Sequence, residues 1–69
     1  MFIKIGDKRI NISVIKEYLP VNKPSLIGKS YSVELYFIDN TKREIYFYNN
    51  EDERNNFLKS LDDILLNRS

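Results

Sequence analysis

The amino-acid sequence predicts an α+β fold: a four-stranded antiparallel sheet made of two hairpins, with one C-terminal helix packed on one face. Three observations carry that expectation. Residues Tyr31–Tyr48 alternate apolar and polar side chains in two arms around Asp39, Asn40 and Thr41. Residues Phe2–Ile12 repeat the pattern in miniature around Gly6-Asp7-Lys8, and after Asn50 apolar residues recur at spacings of three and four. The 69 residues are expected to form one domain, 1–69.

Phe2–Ile5 reads as a short strand, with Ile3 and Ile5 on one side and Phe2 and Lys4 on the other. Gly6-Asp7-Lys8 supplies a tight turn, where glycine reaches positive φ without steric cost. Arg9–Ile12 returns as a second strand with Ile10 and Ile12 inward. Ser13 then caps a single turn that carries Val14 and Ile15 inward, followed by extended chain; a bent continuation of the strand through Tyr18-Leu19 is the alternative. Pro20 ends either arrangement, because the residue before proline avoids the α region. Val21–Ser30 is expected as the longest loop. Its Leu26 and Ile27 either tuck over the edge of the core or stand exposed as a contact for a partner.

The central hairpin is the stretch around which the chain is organised. Val33, Leu35 and Phe37 alternate with Ser32, Glu34 and Tyr36, and Ile45 and Phe47 alternate with Glu44, Tyr46 and Tyr48. Residues opposite each other on paired strands share a face. A loop of even length would place Glu44 beside Phe37, so an odd loop is expected, with Leu35 facing Ile45 and Val33 facing Phe47. One face then holds Tyr31, Val33, Leu35, Phe37, Ile45 and Phe47. The other holds Ser32, Glu34, Tyr36, Ile38, Glu44, Tyr46 and Tyr48.

The helix has the clearest boundaries. Asn50 stands as N-cap with Glu53 three positions on, in a capping-box pattern. Glu51, Asp52 and Glu53 suit the positive end of the helix dipole. Phe57, Leu58, Leu61, Ile64 and Leu65 form the apolar stripe, and Asn67-Arg68-Ser69 is expected to fray.

Composition narrows the functional classes. The chain has no histidine and no cysteine, which removes the commonest general base and the thiolate and imidazole metal ligands, so neither a metal nor another cofactor is expected. Its serines lie in no nucleophile turn, and the expectation is a protein that is not an enzyme. Gly28-Lys29-Ser30 imitates the end of a P-loop, but Lys23 stands where the first glycine belongs and a strand follows. Net charge of +1 gives no general attraction to phosphate or membrane, and no apolar run approaches the roughly 18 residues of a spanning helix. A cytoplasmic location is the expectation that follows.

Three tyrosines on the sheet face away from the helix are more apolar surface than solvent requires. Tyrosine offers large contact area at low entropy cost, so Tyr36, Ile38, Tyr46 and Tyr48 are the candidate interaction residues. The leading expectation is a small non-enzymatic protein-interaction module that uses this face or an exposed strand edge, with a protein partner that includes a second copy of itself. The alternative is a single-stranded nucleic-acid binder stacking bases on the same tyrosines, with Lys4, Arg9, Lys42 and Arg43 at the rim. Glu34 and Glu44 on that face oppose it. A third expectation, an inhibitor of a host or defence enzyme carried by a mobile element, rests on size and composition alone.

The run INISVIKEYLP, the hairpin YSVELYFIDNTKREIYFY and the helix start EDERNNFLKSL together resemble small proteins of AT-rich bacteria and their phages. The shared motifs are turn, cap and core. The resemblance therefore implies an α+β architecture and transfers no catalytic or binding residue.

Overall fold

The structure is a computed structural model that describes residues 1–5 and 7–66. Strands β1 (Phe2–Ile5) and β2 (Lys8–Asn11) pair antiparallel, with Ile3 opposite Ile10 and Ile5 opposite Lys8. The glycine of the expected turn, Gly6, lies outside the described residues, as do Asn67, Arg68 and Ser69 with their expected fraying. A 3-10 turn over Ile12–Val14 follows. Its cap is Asn11 rather than Ser13: the Asn11 side chain accepts a hydrogen bond from the Ser13 N–H.

The chain then runs as β3 (Ile15–Ser25), turns over Leu26 and Ile27, and returns as β4 (Gly28–Phe37). Strand β5 (Lys42–Tyr48) completes a three-stranded sheet in the order β3-β4-β5, and helix α1 (Glu51–Leu65) closes the chain. The expected four-stranded sheet is therefore two sheets, one of two strands and one of three. The reason lies in residues 15–25, expected as the end of a turn, a stretch of extended chain and, from Val21, a loop. They form an eleven-residue strand that occupies the place beside β4.

Pro20 and Pro24 are compatible with this strand because it is an edge. The Phe37 N–H donates to Thr41 O, which makes Tyr36–Lys42 a non-hydrogen-bonded pair. By the alternation of an antiparallel ladder, Val33 exchanges its main-chain bonds with Ile45 on β5 and Pro20 faces it without a donor to supply. Proline thus costs β3 no ladder bond there.

The loop of the β4–β5 hairpin is odd, as expected, but spans Phe37–Thr41, so Val33 rather than Leu35 stands opposite Ile45. Asp39 accepts from both the N–H and the hydroxyl of Thr41, and Asn40 takes φ 70°, which together shape the wider turn. From Ser32–Tyr46 to Tyr36–Lys42 the register moves by an even number of residues, so these side chains keep their expected faces. A bulge at Phe47 then lets Tyr31 pair with Tyr48, which ends the strand at φ 53°.

Ile10, Ile12, Val33, Leu35, Ile45 and Leu61 are the buried core. The helix and the β1–β2 hairpin both lie on the sheet face that carries Val33, Leu35 and Ile45, with Phe57, Leu58, Ile64 and Leu65 packed against that core. The ring of Phe47 meets that of Phe57 at 5.5 Å. No helix among the described residues is long and apolar enough to cross a membrane.

Candidate interaction surface

The face of β3-β4-β5 turned away from the helix is built by strand alternation. It carries Ser32, Glu34 and Tyr36 from β4, Lys42, Glu44 and Tyr46 from β5, and Glu17, Leu19, Val21 and Lys23 from β3. Glu44 is its polar hub. It accepts from the Ser32 hydroxyl, from the Tyr46 hydroxyl at 3.0 Å and from Lys23 Nζ at 3.4 Å, the ammonium standing 3.2 Å from its other oxygen, so it ties all three strands together. The Ser32 bond foremost, then those from Tyr46 and Lys23, hold its carboxyl below the usual range against the opposing effect of partial burial. Its bonds in turn raise the Tyr46 phenol and the Lys23 ammonium above their usual values.

A second knot lies toward the β4–β5 loop. The Tyr36 hydroxyl donates to Glu34 at 3.2 Å, Lys42 Nζ is 3.6 Å from the same carboxylate, and it also stands 6.0 Å from the centre of the Tyr36 ring. Partial burial and then the Glu34 bond push the Tyr36 phenol upward. Glu44 and Glu34 are thus each matched by one lysine.

The four candidate interaction residues fall into two groups. Tyr36 is half-buried and held by Glu34, while exposed Ile38 lies just past the end of β4, its N–H bonded to Val14 O. Tyr46 and Tyr48 are exposed at the other end of β5 and stack with ring centroids 6.4 Å apart. The bulge at Phe47 brings this second pair toward the tip of the β3–β4 hairpin.

Of the two arrangements expected for Leu26 and Ile27, the structure shows the exposed one rather than a tuck over the core: their exposures are 105% and 88%. An eleven-residue strand is about 35 Å long, and the molecule's long axis measures 40 Å against 23 and 22 Å across. The hairpin therefore carries its tip beyond the packed core. Gly28, at φ 123°, takes a backbone conformation that side chains disfavour and lets the turn close. Between the overhanging arm and the end of β5 lies a notch of about 550 Å³, lined by Ser25, Leu26, Ile27, Lys29, Ser30, Tyr48 and Asn49. The signal for this surface was present in the sequence as two adjacent large apolar residues before a glycine.

The nucleic-acid rim is dispersed. Lys42 lies on the tyrosine face, but Arg43 stands opposite Leu35 and so belongs to the other face. Lys4 and Arg9 pair across the β1–β2 hairpin, and Lys4 lines a groove with Ile5, Phe47, Glu53, Asn56, Phe57 and Ser60 on the helix side. Among the described residues, no group of three or more acidic side chains gathers to hold a metal ion. Comparison with protein-family models, with curated proteins and with solved structures finds no match to this chain.

Proposed function

We propose that the protein is a small non-enzymatic interaction module that binds an extended segment of another protein at the end of its long hairpin. The observation that carries this reading is the contiguous apolar surface made by Leu26, Ile27 and Tyr48 around the notch, with Tyr46 stacked beside it. Two exposed branched aliphatic side chains at a hairpin tip, outside the packed core, invite a role in contact. Strand β5 pairs with β4 only as far as Tyr31, so Gly28–Ser30 have a neighbour on the β3 side alone. An added strand can lie along that stretch by β-augmentation. Lys29 at the rim makes no ion pair among the described residues and favours an acidic residue beside the partner's apolar anchor.

The same geometry gives less support to single-stranded nucleic acid. Lys23 and Lys42 are each committed to a carboxylate, and Lys4, Arg9 and Arg43 lie away from the tyrosine face. Photo-crosslinking from position 25 in native lysate, with the wild-type tip and with the Leu26→Ser/Ile27→Ser double variant as baits, tests the reading. The expected result is a discrete crosslinked protein that the double variant fails to capture while melting at an unchanged temperature. Equal capture by both forms, or steeply salt-dependent binding of a fluorescent single-stranded oligonucleotide instead, overturns it.

A further inference from the structure

The three-stranded sheet has two free edges that differ in kind. The β3 edge carries Pro20 and Pro24, which block the approach of another strand. The β5 edge has no proline. Because Tyr36–Lys42 is a non-hydrogen-bonded pair, Arg43 and Ile45 turn their main-chain groups toward β4. The N–H and C=O of Lys42, Glu44 and Tyr46 therefore point away from the sheet, and no other backbone group among the described residues meets them.

We propose that β5 pairs antiparallel with β5 of a second copy about a two-fold axis at Ile45, joining two three-stranded sheets into one. The charges select this occupant. With Ile45 opposite Ile45 of the second copy, Glu44 faces Tyr46 within the regular part of the strand, so each carboxylate meets a phenol hydroxyl across the axis. Lys42 and Arg43 then lie at the end where the second copy carries its aromatic Phe47 and Tyr48. Moving the axis to Glu44 sets two carboxylates against each other. Moving it to Tyr46 shortens the overlap and leaves Lys42 and Arg43 outside the paired strands. Glu44 and Tyr46, whose main-chain groups point outward, are opposite each other in the Ile45 register and exchange the central bonds across the axis. The bulge at Phe47 confines the regular ladder to the middle of the strand, so the dimer is weak and concentration-dependent. The two surfaces share Tyr46 and Tyr48, but self-pairing rests on the main-chain edge of β5 rather than on Leu26 and Ile27, so it does not depend on the partner-binding reading.

Sedimentation velocity across a dilution series from millimolar to micromolar protein, joined to amide exchange by NMR at both ends of the series, tests the proposal. The expected result is a shift from dimer to monomer, with protection of the Glu44 and Tyr46 amides that appears only in the concentrated sample. Tyr46→Pro removes an outward donor without touching the β4 ladder, and is expected to weaken the dimer about tenfold or more. Should that variant not fold, the wild-type amide pattern decides alone. A monomer at every concentration, or a dimer protected along β3 or at the hairpin tip, overturns the proposal. Leu26→Ser/Ile27→Ser is expected to dimerise as the wild type does, so loss of partner capture and loss of self-pairing are read apart.

Discussion

Arg54 shows how one residue can hold two layers together without a counter-ion. It is 4% exposed, and its guanidinium donates to Val21 O at 3.1 Å, to Asn22 Oδ1 at 2.9 Å and to Ser32 O at 3.3 Å. Its Nε donates to Asn55 Oδ1 at 2.8 Å, and the group stands 5.3 Å from the centre of the Tyr31 ring. None of these acceptors is a carboxylate. Carbonyl dipoles and a ring face offset the desolvation of a planar, weakly hydrated cation, which an ammonium would not tolerate as well. Arg54→Ala leaves carbonyl groups of β3 and β4 without that donor, and the expected loss is about 2–3 kcal/mol in urea unfolding. Arg54→Lys is expected to recover only part, because one ammonium cannot span the fork. An alanine variant with the wild-type urea midpoint would remove Arg54 from the account of helix–sheet docking. The sequence held a sign of this role: Arg54 is in helical phase with Phe57, Leu58 and Leu61, on the stripe that packs inward.

Among the elements, the helix was the most legible, since its cap, charge gradient and stripe all point to one structure. Even so, its cap differs in detail from the expected box. Asn50 Oδ1 accepts from the Glu53 N–H at 3.0 Å, but the Glu53 carboxylate reaches the Asn50 side-chain amide at 3.1 Å, while the Asn50 N–H goes to Phe47 O. Asn50→Ala is expected to cost about 1 kcal/mol, and Asn50→Ser less because it keeps the acceptor. Thermal melts of the two variants check the order, and an alanine variant as stable as serine would refute the capping role. Strand β3 was the least legible. Leu19 and Val21 alternate with Tyr18 and Pro20 as a strand should, but two prolines and a Leu-Ile tip without turn chemistry masked the signal. Edge position removes the conflict between proline and strand, and edge position is a property of the assembled sheet rather than of the segment. The displaced first hairpin and the exposed tip both follow from that one misread strand. The faces of the central hairpin survived because pleating preserves them through an even shift of register.

At the scale of the whole molecule, the contact that joins the edge strand β3 to α1 also makes stability depend on pH. The Tyr18 hydroxyl donates to Asp62 Oδ1 at 2.8 Å across the interface between sheet and helix. Burial first, then the bond and the negative charge of Asp62, push the Tyr18 phenol up to about 12. The unfolded chain releases this proton near pH 10, so the folded state holds it more tightly. The stability tied to the neutral phenol is complete below about pH 10 and declines as pH rises through about 12, because ionisation sets phenolate against carboxylate in a partly buried contact. Urea unfolding followed from pH 9 to 12 is expected to show this fall in the wild type. Tyr18→Phe starts from lower stability at neutral pH, having lost the hydroxyl bond, but its curve is expected to be flatter. The raised Tyr36 and Tyr46 phenols leave a residual slope in both proteins, and neither of them touches the helix. If the phenylalanine variant lost stability as steeply as the wild type, the Tyr18–Asp62 contact would not be the source of the alkaline loss, and the raised Tyr36 and Tyr46 phenols would have to account for it.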